Sequence, residues 1–189
     1  MENKTFWNDL AKQGAVLGAI LALSMLFESY ASLSGKACLM LLLVFEWILV
    51  VVAHYLLLHR YTKQYRENFS PEEGFPFGKG YGYIMLLSLF AGAIVAVAQV
   101  VYLHMILGYE VYVERLMTSI QTYLASVGTP SSMESILADT FSAMRNAPTP
   151  SVLQTAWNAI FNSLVFGAFF GLIISGVLMR APKPFADKE

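Results

Sequence analysis

The sequence predicts an all-α integral membrane protein, a four-helix bundle with an extramembrane amphipathic helical hairpin between helices 3 and 4. Three observations lead there. Of 189 residues, 57% are hydrophobic and only 13% are charged, whereas soluble domains are about half apolar and about a quarter charged. The excess is gathered into four blocks, each long enough for the roughly 20-residue helix that a hydrocarbon core about 30 Å thick requires. Between the third and fourth blocks lies a segment whose apolar residues recur instead at three- and four-residue spacing.

The first block covers about 14–33, with Glu28 near its far end. Lys4, Lys12 and the small residues at 31–37 give it a faint likeness to a secretory signal peptide. The long polar leader containing Asp9 argues for a retained span instead. The second block, about 37–58, carries Glu46 and His54, and the short turn at Ser34 and Gly35 makes the first two helices an antiparallel hairpin. The segment 59–79, with its charges and Pro71 and Pro76, reads as an irregular connection. The third block, about 80–103, and the fourth, about 150–179, carry no charge. The fourth exceeds what a bilayer needs, so its first turns should stand in the interface, with Trp157 at headgroup level.

The hairpin, about 109–146, has two amphipathic arms. Val113, Leu116, Met117, Ile120, Leu124 and Val127 form one stripe, which Gly128, Thr129 and Pro130 interrupt. Ser131 and Glu134 have the spacing of a capping box, in which hydroxyl and carboxylate satisfy free backbone N–H groups reciprocally. Met133, Ile136, Leu137, Phe141 and Met144 form the second stripe. Thr149 and Pro150 then fit the N-cap and first position of the fourth span. The hairpin either packs on the membrane face or its own bundle, or docks a partner through Leu116, Ile120, Ile136 and Phe141.

Nine of the twelve cations fall in segments sharing a side with both termini, which places the termini in the cytoplasm and the hairpin outside. The expected location is the bacterial inner membrane. The formal net charge of -1, without a Lys/Arg cluster, excludes a nucleic-acid partner. The lone Cys38 excludes an internal disulfide and a cysteine metal cage. Gly78, Gly80 and Gly82 follow no strand, so they ease helix packing rather than cradle phosphate. His59 and His104 sit at opposite membrane faces and cannot share a metal. No catalytic motif, metal set or cofactor motif is present, and the chain is expected not to be an enzyme.

Small residues let membrane helices approach closely. Gly14, Gly18 and Ala22 form a four-residue ladder on helix 1, Ser88, Gly92 and Ala96 on helix 3, and Ser163, Gly167, Gly171 and Ser175 on helix 4. Such ridges serve contacts within one chain or in a homo-oligomer or complex with another membrane protein. Glu46 is the central candidate for chemistry, because an ionisable group near the bilayer midplane is expensive. Gln99, Asn158 and Asn162 fall in the same half of the membrane, and His54 lies about two turns further along helix 2. Glu46 is either interhelical glue, hydrogen-bonded to one of those amides, or the centre of a proton or ion site.

The passages FWNDLAKQGAVLGAILAL, FPFGKGYGYIMLLSLFAGAIVAV and FNSLVFGAFFGLIISGVLMRAPKPF, in this order and spacing, resemble the domain-of-unknown-function 4199 family. The resemblance implies a small four-span inner-membrane protein of the Bacteroidota type and carries no activity with it. Two function classes remain: a noncatalytic partner subunit, scaffold or regulator presenting its hairpin, and a small oligomeric transporter or channel using Glu46.

Overall fold

A computed structural model describes residues 2–128 and 131–183, with side chains at 2–4, 127 and 131–134 left aside. The elements are α1 (Glu2–Leu33), α2 (Ala37–Glu67), α3 (Phe77–Val100), a π-helical turn (Val101–Ile106), α4 (Tyr109–Val127), α5 (Ser131–Asn146) and α6 (Val152–Leu178). Among the described residues, four helices are long and apolar enough to cross a membrane: Thr5–Leu33, Ala37–Glu67, Phe77–Ile106 and Val152–Leu178. They hold large apolar side chains outward, including Leu23, Phe45, Leu49, Val97, Phe169 and Val177, each at least 60% exposed. A water-soluble protein does not carry an apolar surface on this scale, whereas lipid accepts it without cost.

Two helices extend beyond the apolar blocks. α1 begins at Glu2, because its polar leader is amphipathic and buries Leu10 in the core with Phe6 packed beside it. α2 continues to Glu67 through the segment expected to be irregular, leaving 68–76 as the connection. The reason is packing: Leu58 and Thr62 are buried, and Tyr65 stacks on Tyr83 of α3 with ring centroids 4.2 Å apart. At the start of α6 the cap is Ser151 rather than Thr149, its hydroxyl accepting from the Gln154 N–H at 3.2 Å. Thr129 and Pro130 lie outside the described residues, as do the side chains of Val127, Met133 and the expected Ser131–Glu134 capping box.

α3 is the central helix, packed along α6 on one side and α1 on the other. The α3–α6 seam is two reciprocal notches. A methyl on Gly92 would meet the Ser163 Cβ at 2.8 Å, and one on Gly167 would meet the Ser88 Cβ at 2.6 Å. Each serine therefore fills the space opposite a glycine, and the Ser163 hydroxyl donates to the Ser88 carbonyl at 2.8 Å. Gly14 and Gly18 receive Phe90 and Ala91 in the same way across the α1–α3 seam, while Gly171 lies against Tyr81. Ser175 is buried near Gly80. α2 closes the bundle more loosely: its buried residues are His54, Leu58 and Thr62, all in its second half.

At the end of the bundle holding the 68–76 connection, the chain after α6 is tied down. Phe75 and Arg180 exchange backbone hydrogen bonds of 2.8 Å, and the Arg180 guanidinium donates to the carbonyls of Phe69 and Ser70. Gly74 has φ +67° with the backbone of Arg180 and Pro182 against it, so a side chain there meets both a strained backbone and occupied space.

Candidate functional site

Because the first half of α2 stands off, a half-open cavity of about 260 Å³ remains between the helices, with walls from α1, α2, α3 and α6. Leu21, Met25, Val50, Val51, Val95 and Phe170 make it largely apolar. The polar wall consists of Ser24, Glu28, His54, Gln99, Asn162 and Ser163. Three of the predicted polar residues, His54, Gln99 and Asn162, thus meet in one space.

Glu46 lies behind this wall and has a different partner from those expected. The Ser24 hydroxyl of α1 donates to its Oε1, while none of Gln99, Asn158 and Asn162 bonds to it. Geometry explains the correction. Ser24 and Glu46 are equidistant from Gly35 in the turn between two antiparallel helices, which brings them level with each other. The second carboxyl oxygen of Glu46 is buried without a hydrogen-bond partner among the described residues. Asn158 is exposed and does not line the cavity.

His54 is 6% exposed, and its Nε2 also lacks a hydrogen-bond partner among the described residues. Its ring meets Phe170 edge-on, with centroids 5.5 Å apart. Glu28, exposed at the hairpin end of the cavity, is close enough to Glu46 for the two carboxyl groups to interact electrostatically. Ser24 is not marked by the sequence, and Glu28 is marked only as a charge near the far end of the first block. The signal that locates Ser24 is the mirror relation about Gly35, read together with Glu46.

The hairpin adds a second surface. α4 docks on the end of α1: the Ser119 hydroxyl donates to the Ser32 carbonyl, and Met117 and Ser119 are buried. Tyr112 lies near Glu28; burial first, then Glu28, Tyr102 and Tyr109, push its phenol above the usual tyrosine range. The π-helical turn before α4 is recorded in the Leu107 N–H bond to the Tyr102 carbonyl, 3.0 Å. It is anchored to α6 by His104, whose Nε2 lies 2.9 Å from the Thr155 hydroxyl. α5 packs on α4. Of the four proposed docking residues, Leu116, Ile120 and Phe141 are half-buried, Phe141 in the groove between α4 and α5, while Ile136 is 61% exposed. No group of three or more His, Cys, Asp or Glu side chains converges to hold a metal among the described residues.

Comparison with known proteins finds a family model, Protein of unknown function (DUF4199), that matches residues 12–180. No curated protein and no solved structure matches the chain. The family model takes in the first long helix from Lys12 onward, the other three, the hairpin and every residue of the cavity wall, and the chain belongs to the DUF4199 family.

Proposed function

We propose that the protein is a noncatalytic subunit, scaffold or regulator of the bacterial inner membrane that presents its helical hairpin to a membrane-protein partner. The observation that carries this reading is the asymmetry of the hairpin. α4 is fastened to α1 through Ser119 and Met117, whereas α5 rests on α4 and holds Ile136 out at 61% exposure. A fastened arm bearing a free arm is suited to holding an apolar contact at a fixed place. The distribution of cations supports cytoplasmic termini and an outward-facing hairpin. The test is purification in mild detergent with and without Ile136→Glu. The partner should be lost from the variant while the four long helices stay folded and extractable. Full retention by Ile136→Glu removes this reading.

A second reading rests on a separate observation, the buried oxygen of Glu46 beside a cavity walled by all four spans. It makes the protein a small oligomeric transporter or channel that uses Glu46 as a proton or ion site. Flux into vesicles reconstituted with the wild type should depend on pH and vanish in Glu46→Gln. Vesicles that show no flux at any pH remove it.

A further inference from the structure

We propose that a cleft at the end of the bundle where α1 begins and α2 ends binds a zwitterionic ethanolamine phosphate, the head group of an aminophospholipid. The cleft is separate from the cavity beside Glu46 and from the hairpin, so the site holds under either functional reading.

The cleft is half-open, encloses about 860 Å³ and lies between α1, the last turns of α2, the connection after it and the start of α3. That volume is within the range usual for small-ligand sites. Its deep side is aromatic. Tyr83 is 4% exposed and stacked on Tyr65, and Phe6 packs against both, with ring centroids 5.5 Å from Tyr65 and 6.0 Å from Tyr83. The Tyr83 hydroxyl donates to Gln13 Oε1 at 2.5 Å, and the Gln13 amide donates to Gln64 Oε1 at 3.5 Å. These bonds tie α1, α2 and α3 together around the opening. The polar leader of α1 and the extension of α2 beyond its apolar block supply most of the wall.

Charge selects the ligand. Asp9, Glu73 and Lys79 are exposed around the opening, and among the described residues no ion pair joins Lys79 to either carboxylate. The lysine ammonium lies instead over the Phe69 ring, 4.2 Å from its centroid. A simple anion placed in the cleft would meet two carboxylates, and a simple cation would meet Lys79. A group bearing both signs satisfies the rim. Its phosphate pairs with Lys79, in the first turn of α3, where the helix dipole also favours an anion. Its ammonium pairs with Asp9 and Glu73, and the side-chain oxygens of Gln64 and Asn68 are further acceptors for its N–H groups.

Depth selects the source. Gln13 stands just before the first apolar block, Tyr83 three residues inside the third and Gln64 six residues beyond the second. At helical rise the cleft therefore runs from about 5 Å inside the apolar boundary to about 9 Å outside it. This is the layer that lipid head groups occupy. A polar, charged recess at that level, with rings on its deep side, suits a head group whose chains remain in the bilayer.

The experiment is calorimetric titration of the delipidated full chain in a nonionic detergent, with empty micelles as the blank. The probes are dihexanoyl phosphatidylethanolamine, phosphatidylcholine and phosphatidylglycerol, and soluble O-phosphoethanolamine. Phosphatidylethanolamine should bind saturably and about tenfold more tightly than phosphatidylcholine, whose nitrogen has no N–H to donate, the worth of one hydrogen bond to a charged group. Asp9→Asn and Lys79→Gln, both at exposed positions that folding does not depend on, should each weaken it by about the same factor. Arg60→Gln removes an exposed cation at the same end that does not line the cleft, and should leave binding unchanged. O-Phosphoethanolamine that binds as tightly as the lipid makes a free zwitterion the ligand, whereas weaker binding makes it the lipid. The proposal is overturned if no probe binds saturably, or if phosphatidylcholine or phosphatidylglycerol matches phosphatidylethanolamine. It is also overturned if Asp9→Asn and Lys79→Gln bind as the wild type does, or if Arg60→Gln weakens binding as much as Lys79→Gln.

Discussion

Gly167→Ala tests the packing that gives the bundle its shape. The added methyl would sit 2.6 Å from the Ser88 Cβ and closer still to its hydroxyl, a separation that real side chains do not tolerate. Overpacking of this kind costs about 1–3 kcal/mol. Replacing glycine by alanine inside a helix returns about 0.5–1 kcal/mol. The net loss then lies between about 0 and 2.5 kcal/mol, in the upper half for an overlap this close, and for a chain of this size each kcal/mol lowers Tm by about 2–4 °C. Thermal unfolding in detergent, followed by helical circular dichroism, should therefore fall by several degrees. The diagnostic variant is the swap Ser88→Gly with Gly167→Ala, which moves the side chain across the seam and refills the notch from the other helix. The Ser163 hydroxyl bonds to the backbone carbonyl of residue 88, so that bond survives the swap. The double variant should be no less stable than Ser88→Gly alone, with a coupling energy of about 0.5–3 kcal/mol between contacting sites. Losses that simply add would refute the reciprocal-notch account.

Three further expectations follow from other parts of the molecule. In a Cys38→Ser background, Ser70→Cys should react with an impermeant maleimide only after cells are opened; labelling from outside intact cells reverses the proposed orientation. Glu46→Gln keeps a hydrogen-bonding group opposite Ser24 and should melt close to the wild type, whereas Glu46→Leu should lose about 0.6–1.7 kcal/mol of interhelical bonding; equal melting of the two variants would show that the Ser24 bond carries no stability. Tyr112 should deprotonate above the free-tyrosine range in the spectral difference between wild type and Tyr112→Phe, and Glu28→Gln should bring that titration down. Since the raised value means that the folded state holds the proton longer, this group's stability contribution is complete below about pH 10 and is lost as pH rises further.

Much of the architecture was legible because it rests on one-dimensional quantities. Block length, absence of charge and three- or four-residue spacing locate the four long helices and the two arms of the hairpin without reference to any neighbour. The same quantities misplace ends. They stop α2 at about 58, because Arg60, Lys63 and Arg66 lower its hydropathy, yet the helix runs to Glu67 since Thr62 and Tyr65 have a core to pack against. The small-residue ladders are visible as a pattern, but only coordinates show that Ser88 faces Gly167 and that Gly92 faces Ser163.

The candidate site divides in the same way. The sequence by itself marks Glu46, His54, Gln99 and Asn162 as polar groups in apolar helices, because the cost of burying such groups does not depend on knowing the fold. Which of them meet depends on the rotation and separation of the helices, and these arise from packing between distant parts of the chain. The tight α3–α6 and α1–α3 seams leave α2 standing off, and that gap makes the cavity. Antiparallel register about Gly35 gives Glu46 to Ser24, and helix rotation leaves Asn158 exposed. Composition and periodicity determine which helices exist and which groups are costly within them; only tertiary contacts decide which costly groups share a space.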